Sequence, residues 1–335
     1  MAEAAGGWAA RPDFTVAPPP GGYCWWYVDG LSEDGETGIV LIALVGNPFS
    51  PFFARARRAG AAPPDPLRYT AMNAVLYRGR RKLWTFTERE LVAPRTAAEL
   101  RVGPNEWRWE GGALTVRFDE RSPLLGAGLR GTARLEPARA FDHAVALDAA
   151  GRHGWWPVAP RARIEVELEA PRLRLRGRAY HDMNAGRAPL EDGFRSWQWC
   201  HAALGGFTEV HYDVVEADGR VCERGWRFSD DGAVAAAAPG APRPLGRSRW
   251  GIARSVRLAA GDHLRRRRTL ESSPFYARTL LAGELGGERA AVIHESLDLT
   301  RFRRASVRAL FYLRMRREAA WAARPPLGLL ARLRR

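Results

Sequence analysis

Two carboxylates set among aromatic rings are the groups in this 335-residue chain best suited to chemistry. Asp182 lies in the stretch Tyr180–Trp199, where Tyr180, His181, Asn184, Glu191, Asp192, Trp197 and Trp199 crowd between two segments that read as β-strands. Asp213 lies within Phe207–Glu216, beside Tyr212 and between Val210 and Val214, with His211 two residues away. A carboxyl group in an apolar, water-poor cavity has its pKa raised because burial disfavours the charged form, so it stays an acid near neutral pH. A cation formed beside Tyr180, Trp197, Trp199 or Tyr212 would be held by the negative face of the ring, a desolvated contact worth about 0.5–2 kcal/mol. His181 or His211 would position a water or relay a proton.

Each of these residues also has a plainer reading. Asp182 in D-M-N-A-G suits a turn residue that bonds its own backbone. Alternation along Phe207–Glu216 puts His211 and Asp213 on one face and Tyr212 on the other, so Asp213 also suits the wet side of an amphipathic strand. A single Trp serves core packing, and a lone His serves as a structural hydrogen-bonder. Residue types alone leave these alternatives open. Other chemistries lack their signatures: there is no G-x-S-x-G elbow, no G-x-G-x-x-G after a strand and no G-K-[ST] loop. His294-Glu295-Ser296 carries no metal-ligand spacing, and Cys24, Cys200 and Cys222 form no C-x-x-C pair. No metal and no cofactor is expected, and the odd cysteine count fits a reducing cytoplasm.

The elements that must position these groups read as strands. Tyr23–Asp29 and Thr37–Val45 are aromatic and β-branched runs joined by Ser32-Glu33-Asp34-Gly35, a hairpin signal. Arg163–Glu169 alternates, with Ile164, Val166 and Leu168 on one face and charged residues on the other. Phe207–Glu216 and Arg220–Ser229 flank an Asp218-Gly219 turn, and further strands are expected at Trp250–Leu258, His263–Leu270, Ala277–Leu281 and Ala291–Leu299. Gly232–Gly246 reads as a linker. Helices are expected only at Pro51–Gly60 and Ser306–Ala323. Short strands at spacings of about ten residues, with turns between, give an all-β antiparallel barrel or sandwich rather than βαβ units.

Length predicts two domains. The expected division is a disordered arm over 1–21, barrels over 22–160 and 161–317, and a basic amphipathic tail over 318–335. No run is long enough for a membrane-spanning helix, and Met1–Pro20 lacks the pattern of a signal peptide. The formal charge of +15 is concentrated in Arg301–Arg335, which holds eleven arginines against the single acid Glu318. With Leu310, Phe311, Leu313, Trp321, Leu327, Leu329 and Leu330 interspersed, this segment suits the anionic inner face of the cytoplasmic membrane better than nucleic acid, for which it has no recognition motif.

The chain contains the strings W-W-Y-V-D-G (Trp25–Gly30), V-G-N-P-F-S-P-F-F-A-R-A-R-R (Val45–Arg58), the Met72–Arg89 block and A-L-D-A-A-G-R-H (Ala146–His153). They are followed in order by Y-H-D-M-N-A-G…P-L-E-D-G-F…W-Q-W, Tyr212–Val214, Thr269–Arg278 and His294–Phe302. Together these strings give the chain a resemblance to the carotenoid 1,2-hydratase family, also called hydroxyneurosporene synthases. It implies two lipocalin-like β-barrels and a cofactor-independent addition of water across the C1–C2 double bond of an acyclic carotenoid such as neurosporene or lycopene. Protonation would give a tertiary cation that water captures. On this resemblance Asp213 and Asp182 are the candidate acids, Asp213 first, with His181 and His211 as relays and Tyr180, Asn184, Trp197, Trp199 and Tyr212 around the substrate. The chain departs from the family pattern at Met183 and Ala185, which motivates a pericyclase or isomerase acting on another polyene as a second reading. A barrel that only carries a hydrophobic polyene is a third.

Overall fold

The computed structural model describes residues 13–60, 62–91, 95–238 and 240–318. Its first sheet has twelve strands: β1 (Tyr23–Ser32), β2 (Thr37–Val45), β3 (Thr70–Arg78), β4 (Arg81–Arg89), β5 (Glu99–Val102), β6 (Asn105–Glu110), β7 (Ala113–Arg121), β8 (Gly128–Pro137), β9 (Val145–Ala146), β10 (His153–Ala170), β11 (Arg172–Gly186) and, from the far end of the described chain, Arg316–Arg317. The second has seven: β12 (Phe194–Leu204), β13 (Phe207–Glu216), β14 (Val221–Ser229), β15 (Val234–Ala236) and, after an intervening hairpin of β16 (Ala241–Arg247) and β17 (Ala253–Leu258), β18 (His263–Ser272), β19 (Tyr276–Leu285) and β20 (Glu288–Asp298). Apart from the short parallel pairing of Arg316–Arg317 with β4, every pairing is antiparallel. The all-β, lipocalin-like expectation holds.

The first sheet curls until its two ends meet. There Glu120 of β7 accepts from Thr87 and Arg89 of β4 at 2.5 and 2.6 Å and from Asn105 of β6 at 2.8 Å, all four residues buried. The enclosed core holds Trp26, Val28, Leu41, Met72, Trp107 and Met183. The outer face of β1 to β4, β10 and β11 is covered in turn by the second sheet, a half-barrel, and a second core forms between them. Strands buried on both faces need apolar side chains at successive positions, which is why Tyr23–Val28 and Ile39–Val45 read as continuous rather than alternating runs.

Several expectations need correction. The division at 160/161 falls inside β10, and β11 also belongs to the first sheet, so residues 161–186 build the first barrel. The described end of the 1–21 arm is anchored: Phe14 is fully buried, edge-on to Trp26 and Trp107 at 5.3 and 6.5 Å, a burial worth about 2 kcal/mol. Gly232–Gly246 contains β15 and most of β16 rather than a bare linker. Helix α1 (Pro51–Ala59) forms as expected, with the Ser50 side chain capping the Phe53 amide. Two four-residue turns follow, α2 (Leu190–Gly193) and α3 (Leu299–Phe302). The last helix, α4, covers Ala305–Arg314 and stops short of the expected 306–323 because residues 316–317 join the edge of the first sheet. Residues 319–335, and with them nearly all of the basic tail, lie outside the described residues.

Candidate active site

Strand pairing places Asp182 where two layers of aromatic rings meet. On β11, Tyr180, Asp182 and Asn184 point between the sheets, while His181, Met183 and Ala185 point into the first barrel. On the neighbouring strands Tyr27 of β1 lies directly across from Asp182, and Trp155 of β10 pairs with Asn184. The second sheet closes the site from the other side with Trp197, Trp199 and His201 of β12 and Tyr212 of β13. Trp155 meets Tyr212 edge-on at 5.6 Å, Tyr180 meets Trp199 at 5.2 Å, and His201 stacks on Tyr180 at 4.4 Å.

The Trp155 indole N–H donates to Asp182 Oδ2 at 2.8 Å, and the Tyr180 hydroxyl donates to the same oxygen at 3.0 Å. With Oδ2 occupied by two donors, Oδ1 is the oxygen left to carry a proton. Burial pushes the carboxyl up to about 8; the two hydrogen bonds work against that shift, and the nearby Glu295 and Asp29 carboxylates add to it. No cation pairs with Asp182 among the described residues. At neutral pH it is therefore a carboxylic acid in a cage of rings. Asn184 donates toward Tyr212, whose hydroxyl burial holds protonated.

The other favoured acid lies elsewhere. Asp213 points to the opposite face of β13, where its Oδ2 accepts from Arg257 Nε at 2.7 Å. Burial raises its pKa, and the Arg257 hydrogen bond and charge oppose that rise. Its place beside Tyr212 in the sequence puts it on the far side of the strand, as period-two geometry requires. His211 shares that outer face and bonds Glu209 at 2.6 Å. His181 is fully buried in the first barrel, its Nδ1 on the Tyr27 carbonyl at 2.8 Å, and burial lowers its pKa to about 4. Of the candidate residues, Tyr180, Asp182, Asn184, Trp197, Trp199 and Tyr212 come together, while Asp213, His181 and His211 do not join them. Met183 and Ala185 also face away, which removes their motive for the isomerase reading.

Residues not singled out in the sequence complete the site. Trp155 lies in the unalternating run His153–Val158. His153, on the same face, bonds the Tyr23 hydroxyl at 2.9 Å, and a Cβ at Gly193 would stand 2.4 Å from its Nε2, so glycine is what lets the Tyr180–Trp199 turn close over this ring. Glu191 in that turn is structural, ion-paired to Arg57 of α1 and Arg308 of α4. Next to Asp182 lies a buried polar cluster. Arg278 of β19 pairs with Asp29 at 2.7 Å and with Glu295 of β20, and Asp29 also accepts from Tyr27 at 2.7 Å and contacts His201 at 3.1 Å. Burial would raise Asp29, but His201 first and then Arg278 hold it well below the usual carboxylate range.

A cavity of about 360 Å³ leads to this point. Its inner wall includes Trp25, Tyr27, Trp197 and Glu295, and its flanks are apolar, with Val40, Leu44, Val75 and Phe86 among them. Phe275, Val307, Leu310, Phe311 and Trp250 surround the rest, and Trp250 and Leu310 are 52% and 39% exposed. Asp182 sits behind the inner wall, beside Tyr27. The shape suits a long apolar chain whose end arrives among aromatic rings and carboxyl groups.

Residues 41–324 match the family described as "Carotenoid hydratase CrtC". An acyclic carotenoid 1,2-hydratase of Thiocapsa roseopersicina is 42% identical over 92% of this chain and 76% of its own, and one of Rubrivivax gelatinosus is 39% identical over the same shares. A third, from Cereibacter sphaeroides, is 32% identical over 84% of this chain and 99% of its own. Among solved structures, an AttH of Nitrosomonas europaea superposes with a TM-score of 0.60 over 88% of this chain and 97% of its own, at 13% identity. CghA with Sch210972 gives 0.55 over 86% and 95%, at 12% identity, and both share the fold. The chain belongs to the carotenoid hydratase family.

Proposed function

We propose that the protein adds water across the C1–C2 double bond of an acyclic carotenoid end group, with Asp182 as the proton donor. The observation that carries this reading is a carboxyl group without a partner cation among the described residues, buried among aromatic rings behind the inner wall of an apolar cavity. Hydrating a trisubstituted alkene requires an acid to deliver a proton to C2, leaving a tertiary cation at C1. Asp182 gives up its Oδ1 proton as the new C–H bond forms, and the Trp155 and Tyr180 hydrogen bonds stabilise the resulting carboxylate at Oδ2. The faces of Tyr27, Trp197 and Trp199 offer the cation a negative surface. Water then bonds to C1, and no cofactor enters the step. Asp182 lies across from Tyr27 on the paired strands and outside the cavity lining, so the end group has to pass the Tyr27 ring to reach it.

Neurosporene and lycopene are the substrates to try. Purified protein incubated with either in detergent should give a 1-hydroxy product heavier by one water. Unchanged carotenoid, under conditions where the Thiocapsa relative works, would refute the reading. A bound but unaltered polyene would make the protein a carrier.

We also infer a peripheral membrane location, on the cytoplasmic side, through the basic tail. The exposed Trp250 and Leu310 of the cavity lining, with the exposed Leu313 on the same helix as Leu310, support an apolar approach surface, and no helix among the described residues is long and apolar enough to cross a bilayer. Truncation after Arg317 should weaken binding to anionic liposomes; unchanged binding would refute the role of the tail.

A further inference from the structure

Capture of a cation by water leaves a protonated alcohol, which must lose a proton, and the carboxylate formed at Asp182 is held by two donors on its Oδ2. A second carboxylate is placed for that task. Glu295 lines the cavity, and its Oε1 takes the donors around it: the Tyr276 hydroxyl at 2.8 Å, Arg278 Nη1, and the Tyr27 hydroxyl at 3.5 Å. Its Oε2 has no donor among the described residues. Arg278, fully buried, ion-pairs with this carboxylate, and Asp29 pairs with the rest of that guanidinium. Tyr27 connects the two acids, directly across from Asp182 on the paired strands and in contact with Glu295 through its hydroxyl.

We propose that Glu295 is the catalytic base that takes a proton from the attacking water, with Arg278 and Tyr276 as its positioning residues. This rests on the reading of Asp182 as the acid. The balance is simple. Asp182 gives its proton to C2; the water oxygen forms a bond to C1 while one of its O–H bonds breaks toward Glu295 Oε2. One proton then passes from Glu295 back to Asp182 through cavity water, and the net change is alkene plus water to alcohol. One carboxyl in an apolar cage and a second beside a buried guanidinium are the arrangement that acid and base roles require. If Glu295 is absent, the cation at C1 still forms and reverts by returning a proton.

The test separates the two steps by deuterium. Incubated in D2O with lycopene, wild-type protein should give deuterated 1-hydroxy product. Glu295→Gln should hydrate about 100-fold more slowly while recovered lycopene continues to gain deuterium at the end group. Undiminished hydration by Glu295→Gln overturns the proposal. Equal loss of hydration and exchange, with lycopene still bound, also overturns it, because Glu295 would then serve protonation. Glu295→Asp keeps the charge beside Arg278 and serves if the Gln variant does not fold; it should slow hydration about tenfold with exchange retained, and equal loss of both again overturns the role. Asp182→Asn should abolish both signals. If it keeps both, the acid reading fails, a result separate from any outcome at Glu295.

Discussion

Trp155 and Asp182 come from adjacent strands of one hairpin and meet through a 2.8 Å indole-to-carboxyl hydrogen bond inside the layer between the two sheets. The bond stabilises the carboxylate that remains after proton transfer, so it adjusts the strength of the acid without supplying a counter-ion.

That relationship gives the first expected outcome. Trp155→Phe removes a donor to Asp182 Oδ2 and lets burial act with less opposition, so the pKa of the acid rises. The alkaline limb of the kcat profile should move up by about one pH unit, and kcat at pH 7 should fall about tenfold. Tyr180→Phe should shift the limb in the same direction. A limb that moves down, or stays fixed, contradicts the assigned hydrogen bonds.

The pH profile of the wild type carries the second. Asp182 works protonated and its pKa is pushed up to about 8. Activity should therefore be full below that value and be lost as pH rises through it. Tyr27, Tyr180 and Tyr212 around it are all held protonated by burial and do not supply a limb there. Initial rates in matched-salt buffers from pH 6 to about 10 would show the limb. A rate that rises with pH across that range would mean the working carboxyl is ionised.

Asp213 gives a control. Its carboxylate serves Arg257 on the outer face of β13, so Asp213→Asn should leave kcat within about twofold and lower stability by about 1 kcal/mol. A large loss of activity with the fold intact would return Asp213 to the chemistry.

The clasp that closes the first sheet sets the frame on which β1, β10 and β11 are held. Arg89→Ala leaves Glu120 buried without its cation and should cost about 3–5 kcal/mol, read as a drop in denaturant midpoint. A change under about 1 kcal/mol would show that the sheet closes without this pair.

Much of this was legible in the residues, and the gaps have physical causes. Period-two alternation correctly separated Tyr212 from Asp213, because a strand exposes its two faces strictly in turn. The sequence signal for Asp213, an acid between valines, was real but concerned a different partner: Arg257 lies on β17, whose docking against this face has no local signature. Trp155 was hidden in His153–Val158, where burial on both faces erases alternation. Glu295 and Arg278 are more than a hundred residues from Asp29 and Tyr27 along the chain, and only sheet-on-sheet packing joins them. His294-Glu295-Ser296 carries no metal-ligand spacing, and alternation sends His294 to the Ser255 carbonyl and Glu295 to the cavity. The Tyr180–Trp199 stretch is a sound guide because Tyr180, Asp182 and Asn184 alternate on β11 and Trp197 and Trp199 alternate on β12, on the faces that meet.

The central claim is that Asp182 donates the proton, and kcat of Asp182→Asn on lycopene tests it most directly. The amide keeps the shape and an oxygen that accepts from Trp155 and Tyr180, so the fold and carotenoid binding should survive. Hydration should fall by about a thousandfold or more. A folded, carotenoid-binding Asp182→Asn protein that hydrates lycopene within about tenfold of the wild-type rate would contradict the account.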